Sequence, residues 1–301
     1  MRIGVMFDNE KPFDDVVGQV ASLADAGIEA AWSSQIFGPD ALTTLAAVSR
    51  EVSGIHLGTA VVPTYPRHPV VLAAQALTVQ EMSGGRLTLG IGLSHRMVIE
   101  NVFGLSFDKP ARHMREYLEI LMPVLSGRQV TFAGETLRAS TFGPLQISAP
   151  APDVLVAALG SVMLGLAGRL AAGTVTWMTG PVTIEEHIVP VIYAAAADAG
   201  RPVPQVGVGL PVCVTDDVAA ARAVAAEQFV VYGQLPSYRA VLDREGAEGP
   251  ADVAIVGSAS EVAAQVRRLA DVGATDFVGA PFGTPDQIRA SVDTLAGLVG
   301  A

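Results

Sequence analysis

The sequence predicts an α/β fold, a (β/α)8 TIM barrel with insertions, on three observations. Eight strand-like apolar runs alternate with amphipathic segments of helical spacing over the whole length. The runs are nearly continuous in hydrophobicity, as strands are when helices cover one side of a parallel sheet and barrel packing fills the other. No low-complexity linker interrupts the 301 residues, so residues 1–301 are expected to form a single barrel domain. An open doubly wound sheet is the alternative arrangement of the same elements.

The predicted strands are Arg2–Phe7, Ala30–Ser34, Ile55–Val62, Leu87–Ile91, Val154–Ala158, Thr174–Met178, Val206–Val214 and Asp276–Ala280. After the first, Phe13, Val16, Val17, Val20 and Ala24 fall on one helical face, and Gly27 follows where a left-handed residue closes the last turn. Val262, Val266, Leu269 and Ala270 repeat that pattern before Gly273. A helix over Met163–Leu170 follows the fifth strand, and a last one spans roughly Thr284–Leu298. The length beyond a minimal barrel of ~250 residues is assigned to insertions at Asn101–His113, Gly127–Pro152 and Gly233–Pro250. The second contains a predicted hairpin, Val130–Phe132 against Thr136–Leu137.

Composition narrows the function. Half of the residues are hydrophobic and 16% are charged, which excludes a disordered chain. A net charge of −11 argues against nucleic acid as a partner, because neutralising phosphates needs a cationic face. No apolar stretch approaches the ~18 residues of a membrane span, and Asp8 follows Met1 too soon for a signal-peptide core. A cytoplasmic protein acting on a small molecule is expected. Cys213 is the single cysteine, sits in an apolar run and reads as an inert core thiol. Metal clusters, the Gly-x-Ser-x-Gly elbow, the His-Glu-x-x-His pair and the phosphate-loop signature all lack their minimal parts.

What chemistry remains clusters at predicted strand ends. Gly90-Ile91-Gly92 is no dinucleotide fingerprint, since His95 stands at the third glycine position. It is either a close approach for a planar ligand or a tight turn. His68 and His95 each follow a strand, as candidates for ligand contact or proton transfer. Leu159-Gly160-Ser161 opens a helix and suits a phosphate, unless Ser161 merely caps that helix. Trp177-Met178-Thr179-Gly180-Pro181 adds a hydroxyl and a glycine turn. Prolines 63, 66 and 69 stiffen the loop carrying Tyr65, Arg67 and His68, which with Arg96, Arg112, His113 and Arg115 could form an anion-binding rim.

These residues resemble the luciferase-like monooxygenase superfamily, and within it the oxidoreductases that use the deazaflavin coenzyme F420. The resemblance rests on Leu57-Gly58-Thr59-Ala60-Val61-Val62-Pro63, Tyr65-Pro66-Arg67-His68-Pro69, Gln75-Ala76-Leu77-Thr78, Ser83-Gly84-Gly85-Arg86 through Gly92, and the turns at Ala158-Leu159-Gly160 and Trp177–Pro181. It implies a non-prolyl cis peptide at Ala60–Val61, after Thr59, backing a tricyclic ring that lies near Gly92, Leu93, Ser94 and His95. It implies a cofactor phosphate at Ala158, Leu159, Gly160, Ser161 and Thr179, with Arg67 and the basic rim meeting the coenzyme's polyglutamate tail. Relatives are often dimers, so a homodimer is expected.

One departure bears on the reaction. Related sugar-phosphate dehydrogenases carry an Asp-His pair after the second strand, where this chain has Trp32-Ser33-Ser34-Gln35, and an acid where this chain has Leu93. Oxidising an alcohol needs a base for the hydroxyl proton, which neither Gln35 nor Leu93 supplies. The expectation is therefore reduction of an activated C=C or C=N bond, with Gln35 touching ring or substrate and a proton from His95, Tyr65 or water. A monooxygenase using flavin mononucleotide (FMN) and a non-catalytic cofactor-binding protein are the alternatives.

Overall fold

In the computed structural model, which describes residues 1–35 and 37–300, eight parallel strands close into a barrel. They are β1 (Arg2–Met6), β2 (Ala30–Ser33), β3 (His56–Thr59), β4 (Leu87–Gly92), β5 (Asp153–Ala157), β6 (Gly173–Trp177), β7 (Gln205–Val214) and β8 (Asp276–Pro281). Each pairs with its neighbours in sequence, and β8 returns to β1 with Arg2 opposite Asp276 and Val5 opposite Gly279. The helices that follow them in turn are α1 (Phe13–Asp25), α2 (Ala41–Glu51), α3 (Pro69–Met82), α4 (Pro110–Leu125), α5 (Ser161–Leu170), α6 (Val189–Asp198), α7 (Ala259–Asp271) and α8 (Pro285–Ala296). Local chemistry sets their ends. Asp40, Ser258 and Thr284 accept the free N–H groups that open α2, α7 and α8. Gly27 and Gly273 close α1 and α7 at positive φ, as their positions predict. Among the described residues no helix is long and apolar enough to cross a membrane.

The barrel interior is a small cluster of its own, Ala30, Trp32, Leu155, Val175 and Val278, separate from the large core between strands and helices. Trp32 is 1% exposed. Its indole spreads over both neighbouring strands, which carry glycine beneath it. A Cβ on Gly58 would stand 2.2 Å from the ring, and one on Gly4 2.4 Å from Nε1. Met6, Ala60 and Val61 pack on this cluster half-buried, and so floor the mouth where the strands end.

Two expectations need correction. The predicted strand Ile55–Val62 is broken: β3 ends at Thr59, the Ala60–Val61 peptide is cis, and Val62–Pro63 then pairs with Ile91 and Gly92 of β4. The hairpin pairs Thr131–Ala133 with Arg138–Ser140. Its turn lies later than predicted because the buried Glu116 carboxylate of α4 accepts the N–H groups of Glu135, Thr136 and Leu137, which therefore cannot join a ladder. A short strand, Ile255–Gly257, also extends β7 by pairing at Val212–Val214. The third insertion is helical, with segments at Val230–Gln234, Pro236–Glu245 and Pro250–Val253.

The indole and its two glycines form a size constraint that a single methyl violates. Gly58→Ala is expected to destabilise the protein by ~3 kcal/mol, the upper end for overpacking a filled core, as read from the urea midpoint at unchanged m-value.

Candidate active site

The C-terminal ends of the strands face one way, and there the floor of Met6, Ala60 and Val61 is ringed by loops. The β3–β4 seam explains the two glycines of Gly90-Ile91-Gly92. Thr59 Oγ1 donates to Gly90 O at 2.8 Å and accepts from Gly90 N at 2.8 Å. A Cβ on Gly90 would sit 1.9 Å from Thr59 O, and one on Gly92 2.6 Å from Val61 Cγ2. The glycines are thus required by the protein's own packing at the β3 break, and the Thr59 side chain locks that seam instead of facing a ligand.

The loop after β3 is fixed from outside by α4. Tyr117 donates its hydroxyl to Arg67 O at 2.9 Å, and His113 Nε2 lies 3.1 Å from Thr64 Oγ1. The Tyr65 ring stacks between His113, at 3.9 Å, and Phe107, at 5.2 Å. Its hydroxyl is buried without a hydrogen-bond partner among the described residues. Burial raises its pKa to about 12, with Asp108 adding to the rise and Arg96 opposing it. Tyr65 therefore keeps its proton at neutral pH. Burial drives His113 the other way, to about 4 despite Glu116, so its imidazole is neutral.

Gln35 is turned toward the loops. Its Oε1 accepts from Ala41 N at 3.2 Å and from Arg67 at 3.3 Å, while Arg67 pairs with Asp40. Burial raises the Asp40 pKa, but hydrogen bonds from Thr43 and the Arg67 charge outweigh it and hold the carboxylate ionised. Most of the proposed basic rim is similarly paired. Arg96 pairs with Glu100, Arg112 with Glu135, and His68 caps α3 while its Nε2 meets Arg138 O at 2.9 Å. Arg67 is paired and His113 neutral, which leaves Arg115 as the exposed member of this rim without an ion-pair partner among the described residues.

After β4, Leu93 and Ser94 are half-buried, and Ser94 takes φ +60°, a conformation a non-glycine residue adopts only where its surroundings hold it. Half-buried His95 follows, its ring 6.0 Å from Tyr238 and its pKa lowered by burial. The turn after β5 is open. Gly160 is the extended N-cap of α5 with no side-chain cap, Gly160 and Ser161 are exposed, and a Cβ on Gly160 meets nothing within 4 Å. The first N–H groups of α5 are thus free to receive an anion, and Ser161 does not cap the helix. His187 Nε2 donates to Leu159 O at 2.9 Å and steadies this turn, a role its sequence position did not reveal. Ala158 belongs to the outer core and does not line the mouth.

The turn after β6 is closed to an anion. Thr179 is fully buried and donates to Trp177 O at 3.1 Å. The N–H groups beyond it, of Val182 and Thr183, already donate to the Glu245 carboxylate at 3.3 and 2.5 Å. Thr179 therefore drops out as a phosphate ligand, because an internal carboxylate from the third insertion occupies that helix start. Sequence reasoning also missed the other side of the mouth, where Asp8, Asn9, Glu10 and Ser34 line a polar cavity with Phe7, Gly38 and Pro39. Polar residues directly after the first strand were the available signal.

Because burial depresses His113 below its free value of 6.5, the unfolded chain takes up protons that the folded chain refuses. Its contribution to stability is intact above that value and is lost as pH falls toward about 4, by up to ~3 kcal/mol. His113→Gln should flatten this loss relative to wild type in urea titrations at neutral and acid pH.

Comparisons agree with this architecture. The luciferase-like monooxygenase family profile matches residues 1–301. A 5,10-methylenetetrahydromethanopterin reductase of Methanolobus tindarius is 28% identical over 98% of this chain and 90% of its own. Among solved structures, the coenzyme F420 dependent tetrahydromethanopterin reductase of Methanopyrus kandleri superposes with a TM-score of 0.82, at 22% identity over 98% of this chain and 97% of that one. The oxygenating constituent of 3,6-diketocamphane monooxygenase from Pseudomonas putida, in complex with FMN, follows at 0.78, with 18% identity over 99% and 98%. The profile match over the full length of residues 1–301 shows that the chain belongs to the luciferase-like monooxygenase family.

Proposed function

We infer that the protein is a coenzyme F420-dependent oxidoreductase that reduces an activated C=C or C=N bond of a small organic molecule. The observation that carries this reading is the pairing of an apolar floor at Met6, Ala60 and Val61 with an uncapped, open α5 start at Gly160. A flat ring with a phosphate on its side chain needs both. Similarity to the methylenetetrahydromethanopterin reductases favours the deazaflavin over FMN.

When bound, the reduced coenzyme supplies the hydride. The chain's own residues do the rest. The N–H groups of Ser161 and Val162, at the first turn of α5, would hold the phosphate, and the half-buried Ala60 and Val61 would support the ring. Neither Gln35, with its Oε1 engaged by Ala41 and Arg67, nor Leu93 offers a base for alcohol oxidation, which supports the reductive direction. His95 is neutral at pH 7 because burial lowers its pKa, and it can relay a proton at a ring nitrogen without holding charge in the mouth.

A side-by-side fluorescence titration with F420 and with FMN tests the cofactor. Micromolar binding of F420 alone supports the reading; preference for FMN moves it to oxygen-dependent chemistry, and binding of neither removes it. Gly160→Asp puts a carboxylate where the phosphate is assigned yet supplies a better N-cap than glycine. It should weaken F420 by at least about tenfold while stability holds or rises by about a few tenths of a kcal/mol. Unchanged affinity would remove the phosphate assignment.

Turnover is tested anaerobically, with reduced F420 and a panel of enones and imines. His95→Gln should leave coenzyme affinity unchanged and slow reduction by about ten- to a hundredfold. Equal turnover would assign the proton to water.

A further inference from the structure

One helix of the third insertion carries a phenol to the mouth. The Pro236–Glu245 helix is pinned at its last residue, since the Glu245 carboxylate accepts the N–H groups of Val182 and Thr183 after β6. Its first turn carries Tyr238, whose ring lies 6.0 Å from that of His95 after β4. The helix thus bridges β6 and β4, passing the end of β5 that lies between them.

Ring contacts fix which way Tyr238 faces. Trp177 ends β6 two residues after Val175 of the barrel interior, so strand alternation turns its indole inward. A Cβ on Gly209 would stand 2.9 Å from Trp177 Cε3, which lays the indole across β7. Tyr232 meets Trp177 edge to face at 5.9 Å and Tyr238 at 5.1 Å. Phe229 and Phe282, both buried, back this arc. Tyr238 therefore continues an aromatic wall that starts at the top of the barrel interior and ends at His95.

The polar atoms at the end of this wall are unspent. The Tyr238 hydroxyl and both His95 ring nitrogens make no hydrogen bond among the described residues, yet they are not sealed from solvent as the Tyr65 hydroxyl is. Tyr238 is nevertheless deep. Burial pushes its pKa well above the ordinary phenol value, with Tyr232 adding to the rise. A hydroxyl that is both deep and open faces a recess, and the recess beside Trp177 and His95 is the mouth. It keeps its proton and is a donor without an acceptor.

We propose that Tyr238 is a catalytic residue whose hydroxyl donates a hydrogen bond to a carbonyl oxygen conjugated to the reducible C=C bond, with the substrate's plane against the aromatic wall. The proposal rests on reading the protein as a reductase, and it narrows the substrate class to planar enones. As the β carbon of an enone takes up hydride from the reduced coenzyme, the C=C electron pair moves toward the carbonyl oxygen, and the α carbon then takes a proton. A donor fixed at that oxygen stabilises the transition state more than the ground state, while His95 stands beside it for the proton.

The test uses the whole chain without coenzyme, so that it stands apart from the F420 titration. Its probe is dimethylaminobenzalacetone, a planar enone whose absorption moves to longer wavelength when its carbonyl oxygen accepts a hydrogen bond. A saturable red shift is expected with the wild type. Tyr238→Phe keeps the ring and removes the hydroxyl; it should abolish most of the shift and weaken the probe by about three- to tenfold. Affinity for the carbonyl-free analogue dimethylaminopropenylbenzene, read by fluorescence, should be the same in both proteins, a result that a merely structural tyrosine would not give. With reduced F420 and oxygen excluded, Tyr238→Phe should lower kcat by about a hundredfold at unchanged coenzyme affinity. No saturable shift in the wild type, a shift that survives Tyr238→Phe, or an equal loss of affinity for both ligands would overturn the proposal. If F420 fails to bind and the shift depends on Tyr238, the donor assignment stands and the hydride source falls. If F420 binds and the shift ignores Tyr238, the donor assignment falls alone.

Discussion

One indole governs this molecule. Trp32 fills the barrel axis between Gly4 and Gly58, and neither neighbour can carry even a methyl group without overlapping it. The barrel is therefore a solid core and not a tunnel, and chemistry is confined to the mouth above Met6, Ala60 and Val61. The same crowding continues upward at the β3–β4 seam, where Gly90 and Gly92 yield space to Thr59 and Val61. A flat apolar floor results from atoms that have nowhere else to go.

Around that floor the loops are held unequally. The β3 loop is buttressed by α4 through Tyr117, His113 and the Tyr65 stack, and tied to the β2 loop by Arg67 and Asp40. The β6 turn is pinned by Glu245. Between these two fixed walls, the α5 start keeps its hydrogen-bonding capacity unspent. Rigid walls with an unfilled polar site are what a cofactor with a phosphate would require. Internal pairing takes up Arg67, Arg96 and Arg112 around the mouth.

Much of the fold was legible because it repeats. Strand runs, helical stripes and the closing glycines Gly27 and Gly273 are local patterns, and a slip in any of them would move a whole apolar face into water. The break at Ala60–Val61 was legible only through family resemblance, since nothing in the composition of that run distinguishes it from a continuous strand. The hairpin register was not legible, because Glu116, nineteen residues before the turn residue Glu135, sets it from another element.

For the site, the division is similar. The sequence by itself determined the barrel, the end of it that carries chemistry, and the turn at Leu159-Gly160-Ser161, all of which follow from periodicity and from which residues end a strand. Only the tertiary structure decided which polar groups remain free. Arg67 and Thr179 looked available in the chain and are taken up by Asp40 and Trp177 O, while the Tyr65 hydroxyl and Asn9 Oδ1 are left buried without partners among the described residues. Hydrogen-bond satisfaction depends on partners distant in sequence, so it becomes visible only when the chain is folded.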